Sequence, residues 1–151
     1  MYLVNTLIFG FEGTNTEKVA QLLSDVADIK IIKSSETGIE NFISRTDFSH
    51  YKHIIGIGMY SGRDKDRVRI ETECSSKFRN KKENLTRLPI HYFIYENDIF
   101  KLAKGIGNSW CNLVSFRLIK TQKVANYTFL HVPRTMSVTK VANAVRTALS
   151  C

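Results

Sequence analysis

Hydrophobic and polar positions change period several times along the chain, and each change predicts an element. Tyr2 to Phe9 is apolar and β-prone, which predicts a buried first strand. Gly10 and Gly13 mark a turn. Thr14 and Glu17 then stand at capping-box spacing, in which each side chain bonds a free backbone N–H at a helix start. Val19, Leu22, Leu23 and Val26 share one face of that helix, and Ile29 to Ile32 reads as a second strand. This β-α-β order predicts a sheet with parallel strands. Ile39 to Ser44 reads as a short helix and His53 to Gly58 as an apolar strand. From Arg67 to Cys74, Val68, Ile70 and Thr72 alternate with Arg69, Glu71 and Glu73, the pattern of a half-exposed strand. Ile90 to Tyr95, aromatic and β-branched, predicts another strand. Leu113, Val114, Leu118 and Ile119 fall near one face of a helix over Cys111 to Ile119. Asn126 to Val132 is a strand that stops at Pro133. Val138, Val141, Ala142, Val145 and Leu149 describe a closing amphipathic helix with Ser137 as its N-cap. The expected fold is α/β: a three-layer α/β/α sandwich with a mixed, largely parallel central sheet, one domain over residues 1–151.

Composition narrows the class. A hydrophobic share of 43% over 151 residues suits one globular core. No apolar run approaches the roughly 18 residues that cross a bilayer. The short apolar N-terminus has no Lys or Arg before it, so a buried strand is expected there rather than a signal peptide, and with it a cytoplasmic protein. Cys74, Cys111 and Cys151 are odd in number and lack CxxC spacing, which indicates neither a disulfide framework nor a zinc site. The net charge of +8 gathers mainly between Lys77 and Arg87, a stretch expected to be a solvated loop. Gly56-Ile57-Gly58 opens like a dinucleotide fingerprint, but Ser61 takes the third glycine position and no helix follows. His50, His53 and His91 lack metal-ligand spacing.

Three segments carry candidate chemistry. In Gly105-Ile106-Gly107-Asn108-Ser109-Trp110-Cys111-Asn112 a glycine-containing loop leads into an apolar helix. A cysteine in a first helical turn meets unpaired N–H groups and the positive end of the helix dipole, so its pKa is expected to fall below about 8.5. The same N–H groups suit the oxyanion of a tetrahedral intermediate. Cysteine in this place is also met as a small buried apolar residue. In Phe129-Leu130-His131-Val132-Pro133 an imidazole leaves the end of an apolar strand, a rigid mount for a general base; a histidine satisfied at the core's edge is the plainer alternative. In Val68-Arg69-Ile70-Glu71-Thr72, Glu71 is placed to orient an imidazole, although Glu73 shares its face. Arg63 and Arg134 flank these segments and are candidates to attract a carboxylate or hold an oxyanion.

Taken in order, these segments resemble the pyroglutamyl peptidase I (pyrrolidone carboxyl peptidase) family, in a shortened and divergent form. Its Gly-Phe-Glu turn is matched by Gly10-Phe11-Glu12, and its Gly-x-x-x-Gly-Arg segment by Gly58 to Arg63 leading to Glu71. Its Cys-Asn helix start is matched by Cys111-Asn112, and its His-Val-Pro strand end by His131 to Pro133. The resemblance implies a cysteine peptidase or amidohydrolase in which Cys111 attacks an amide carbonyl, His131 shuttles the proton and Glu71 orients His131. Phe11, Met59, Arg63 and Trp110 are the implied substrate-binding residues. No metal or organic cofactor is implied. The implied substrate is a peptide or small amide with an N-terminal pyroglutamyl or related group. Homo-oligomers are common in the family; a membrane or nucleic-acid partner is not expected. Gly13 and Thr14 follow Gly-Phe-Glu directly, without the family's aromatic-containing loop, and Met59 stands where many members have glutamine. The rival reading is a non-catalytic relative that binds an acidic partner or nucleic acid through its basic surface.

Overall fold

The computed structural model describes residues 5–63, 65–79, 84–124 and 126–150. The start of the predicted first strand (Tyr2 to Val4), residues 80–83 of the basic stretch, and Cys151 lie outside the described residues. The elements run β1 (Thr6–Phe11), α1 (Asn15–Gln21), β2 (Asp28–Ile32), α2 (Glu36–Arg45), β3 (His53–Tyr60), β4 (Val68–Glu71), β5 (Glu73–Ser75), β6 (Arg87–Pro89), β7 (Phe100–Ala103), α3 (Trp110–Lys120), β8 (Tyr127–Pro133) and α4 (Val138–Leu149). A single 3-10 turn, Phe48–His50, precedes β3.

Six strands form the central sheet in the order β2-β1-β3-β8-β4-β7. β2, β1, β3 and β8 are mutually parallel, β4 runs antiparallel to β8, and β7 is parallel to β4. β5 and β6 pair apart from this sheet as a small antiparallel ribbon. Side chains of successive strand residues point to opposite faces, and the two cores follow that parity. Leu7, Phe9, Phe11, Tyr127 and Phe129 pack with Ile39 and Phe42 of α2 and with Leu113, Val114 and Leu118 of α3. Ile8, Ile55, Ile57, Leu130 and Val132 pack with Val19 and Ala20 of α1 and with Val141, Ala142 and Val145 of α4. This is the expected three-layer α/β/α sandwich with a mixed, largely parallel sheet.

Four local expectations are corrected. Thr14 caps α1 by accepting from Thr16 N at 3.2 Å rather than through a capping box with Glu17. Its own N–H is held by Phe11 O at 3.3 Å, which leaves nothing for Glu17 to bond there. Leu22 is exposed, because α1 ends at Gln21 and the helical face is not carried further. Residues Ile90 to Tyr95 are not a strand: both flanks of β4 are occupied, by β8 and β7, so this run packs as a loop with Ile90 and Ile94 buried. Finally, β4 is buried on both faces rather than half exposed. Val68 and Ile70 enter the α1/α4 core, and Arg69 and Glu71 are buried beneath the opposite side.

Candidate active site

Parity and register bring the candidate residues to the α2/α3 side of the sheet. His131 lies two positions beyond Phe129 on β8, so it faces the same side. Arg69 is directly opposite His131 across the antiparallel β4–β8 pair. Glu71, two residues on, is the diagonal neighbour on the same face, a separation that long side chains span. Glu71 Oε1 lies 2.8 Å from His131 Nδ1, and both residues are buried, at 0% and 4% exposure. With Nδ1 carrying the proton and donating to the carboxylate, Nε2 is the free nitrogen of the ring.

The same Glu71 oxygen also accepts from Arg69 Nε at 3.1 Å, while Oε2 is buried with no partner among the described residues. Arg69 donates further to Tyr60 Oη at 3.3 Å and to Lys104 O at 3.1 Å, and its guanidinium covers the Tyr60 ring at 4.4 Å. One side chain thus ties the orienting carboxylate to the end of β3 and to the loop that precedes α3. Sequence reasoning did not assign Arg69 a role; its signal was its place on the same alternating face as Glu71. Glu73 is different. The ladder of β4 ends at Glu71, Glu73 belongs to β5, and its carboxylate pairs with Arg87 at 3.0 Å near the surface.

Cys111 stands in the first turn of α3, after a loop in which Gly105 and Gly107 take positive φ of 119° and 91°. Ser109, the N-cap, makes no side-chain cap bond, so the first-turn N–H groups are left for another acceptor. The next residue, Asn112, is fully buried and fixes the helix start. It accepts from Ser75 N at 2.8 Å and donates to Ser75 O at 3.0 Å and Lys77 O at 2.7 Å. The sulfur rests on Gly58: a β-carbon there would stand 2.5 Å from Cys111 Sγ and 2.8 Å from Phe129 Cζ. Gly58 pairs in register with His131, so sulfur and imidazole sit over adjacent strands. Gly56 and Gly58 are therefore packing glycines inside β3, and their resemblance to a phosphate-binding turn has a steric origin.

Electrostatics at the sulfur run against the expectation of a lowered pKa. Burial, and then the Glu71 carboxylate, push the Cys111 thiol up to about 12, while its own backbone N–H lowers it by less. The helix start is thus outweighed, and the resting group is a thiol. Cys74 is also pushed up to about 12 by burial, but it is 1% exposed and faces Leu88 O at 3.7 Å, inside the core.

Cys111 and His131 line one cleft of about 410 Å³, together with Phe11, Met59, Tyr60, Trp110 and Arg134. Its far side is the loop from Gly105 to Ser109, and Thr14, Ser34 and Ser61 complete it. Glu71 lies beneath His131 rather than on the wall. Of the candidate binding residues, Phe11, Met59 and Trp110 reach the cleft; Arg63 is exposed on the turn after β3 and does not line it. Trp110 is packed by Phe78 at 5.0 Å and covered by the Arg79 guanidinium at 4.7 Å. Among the described residues, no three His, Cys, Asp or Glu gather as a metal site, and no helix is long and apolar enough to cross a membrane.

No family model matches the chain, and no curated protein matches it in sequence. Solved structures do. The chain is similar to pyroglutamyl peptidase I of Bacillus amyloliquefaciens, with a TM-score of 0.78 and 11% identity over 97% of this chain and 95% of that one. It is similar to pyrrolidone carboxyl peptidase of Thermus thermophilus, with a TM-score of 0.75 and 14% identity over 95% and 98% of the two chains. It is similar to a mutant of the P. furiosus enzyme, with a TM-score of 0.73 and 16% identity over 97% and 96%. The α/β fold of the chain is the fold of these pyroglutamyl peptidase structures.

Proposed function

We propose that the protein is a cysteine-type hydrolase of amide bonds, acting on an N-terminal pyroglutamyl or related acyl group. One observation carries the reading: Cys111, a partly buried residue, and a buried imidazole share a cleft, and the imidazole is held from behind by a buried carboxylate. The likeness of fold to peptidases of that specificity supports the choice of substrate.

The chemistry follows from the resting thiol. As Cys111 Sγ attacks the carbonyl carbon, its proton passes to His131 Nε2, and Glu71 stabilises the imidazolium that forms. First-turn N–H groups of α3 receive the negative oxygen. The imidazolium then protonates the departing amine, the C–N bond breaks, and a thioester remains on Cys111. Water, deprotonated by His131, attacks the thioester; the acid leaves and the thiol takes back the proton. These steps balance with the chain's own side chains and water.

The test is a panel of pyroglutamyl and other N-acyl amides, read by amine release and by the mass of the intact chain. Turnover with a transient adduct on Cys111, both absent in Cys111→Ser, is the expected result. An adduct and turnover with other acyl groups but not pyroglutamyl would revise the substrate alone. No turnover and no adduct across the panel would return the chain to the non-catalytic binding reading.

A further inference from the structure

We infer that the cleft receives a substrate bearing a carboxylate, and that Arg134 is the residue that reads it; this rests on the reading of the cleft as a substrate site. The walls beside the nucleophile are apolar (Phe11, Met59, Ile106 and Trp110) or carry neutral hydroxyls and amides. Among the described residues, no aspartate or glutamate lines the cleft, and Arg134 is the only arginine or lysine that does. Arg134 is exposed and forms no hydrogen bond or ion pair among the described residues. Its place is fixed by the sheet. Pro133 pairs with Tyr60 at the end of the β3–β8 ladder, so Arg134 leaves the sheet at the rim, three residues beyond His131. It lines the same cleft as Cys111 and His131, so its guanidinium is open to a charged group of a substrate held there. A guanidinium fork matches a carboxylate in two parallel hydrogen bonds, and the chain's net charge of +8 favours the approach of an anion. Arg63, the other candidate for this task, does not line the cleft.

A carboxylate has two sources here: the side chain of the acyl group, or the free C-terminus of the leaving amino acid. Two pairs of compounds separate them. α-Glutamyl anilide against α-glutaminyl anilide varies the acyl side, and pyroglutamyl-glycine against pyroglutamyl-glycinamide varies the leaving side. Binding to the full-length Cys111→Ser chain by calorimetry, and kcat/KM of the unsubstituted chain, are measured for each. We expect the carboxylate member of one pair to be favoured by roughly fivefold to tenfold. Arg134→Gln should bring that ratio towards one, and Arg134→Glu should reverse it. The pair that shows the preference names the source. Equal binding within both pairs, or a preference that survives Arg134→Glu, would overturn the inference. A binding preference without turnover of any compound would leave Arg134 as the anion reader and remove the hydrolase reading instead.

Discussion

Glu71 is fully buried, and one of its oxygens serves both His131 Nδ1 and Arg69 Nε. Replacing it by glutamine keeps the volume but lets an amide N–H face the ring, so His131 can settle with its proton on the wrong nitrogen. A loss of about 10²–10⁴-fold in kcat is expected, by analogy with carboxylates that fix a catalytic histidine tautomer. Arg69 would also lose the charge it pairs with, 10% exposed, and breaking such a buried pair costs about 3 kcal/mol. Urea unfolding of Glu71→Gln measures that second effect, so loss of activity through unfolding is separable from loss through the tautomer. The sulfur gives a prediction of pH dependence. Its thiol is raised to about 12 by burial and by Glu71, so below that value each unit of pH multiplies the thiolate, the reactive form, about tenfold. Alkylation of Cys111 by iodoacetamide should therefore climb steadily from pH 6 to pH 10. A rate that levels off near neutrality would instead mean a thiolate already formed at rest.

At the scale of elements, the site is a product of parity. Tyr127, Phe129 and His131 alternate with Thr128, Leu130 and Val132, so the strand that fills two cores also delivers the imidazole to the α3 side. Gly58 lets α3 settle there. Gly58→Ala puts a methyl group 2.5 Å from Cys111 Sγ and 2.8 Å from Phe129 Cζ, so the sulfur, the ring or the helix that carries the sulfur must shift. Loss of most activity, with destabilisation of about 1–3 kcal/mol for overpacking, is the expected outcome by amine release and urea unfolding. Normal turnover in that variant would show that the sulfur's seat on β3 is not needed. The elements with long apolar periodicity were legible in the sequence: β1, β3, β8, and α4 with its Ser137 cap, which accepts from Lys140 N at 3.3 Å. β7 was not, because four residues with Leu102 38% exposed leave no pattern to see. β5 and β6, three residues each, leave even less. Cys111, His131 and Glu71 were visible as candidates; the structure bonds Glu71 to His131 and sets Cys111 on the same cleft as His131. What alternation alone left open was Glu71 against Glu73, since both share one parity. The ladder break at Thr72, which turns Glu73 into a second sheet, is a tertiary event that no local pattern records.

For the molecule as a whole, fold and charge bear on the cleft separately. The fold is held at identities of 11–16% to the three peptidases named above, so it constrains topology far more than surface. Net charge is a surface property, and here it is +8, with no acidic side chain among the described residues that line the cleft. A charge of that size builds a field that acts over a Debye length, about 30 Å at 0.01 M salt and about 8 Å at 0.15 M. The sulfur itself can report that field without any turnover. Iodoacetate and iodoacetamide alkylate by the same displacement and differ in charge. Relative to their ratio on a free thiol, iodoacetate should gain on iodoacetamide at Cys111, by a few-fold at 0.01 M salt. Raising the salt should remove the part of that gain due to distant lysines first, and the part due to Arg134, which lines the same cleft as the sulfur, last. A ratio below that of the free thiol at low salt would mean that the buried Glu71 carboxylate, not the basic surface, sets the potential at the nucleophile. The salt dependence therefore decides whether the basic surface or the buried carboxylate governs the approach of an anion.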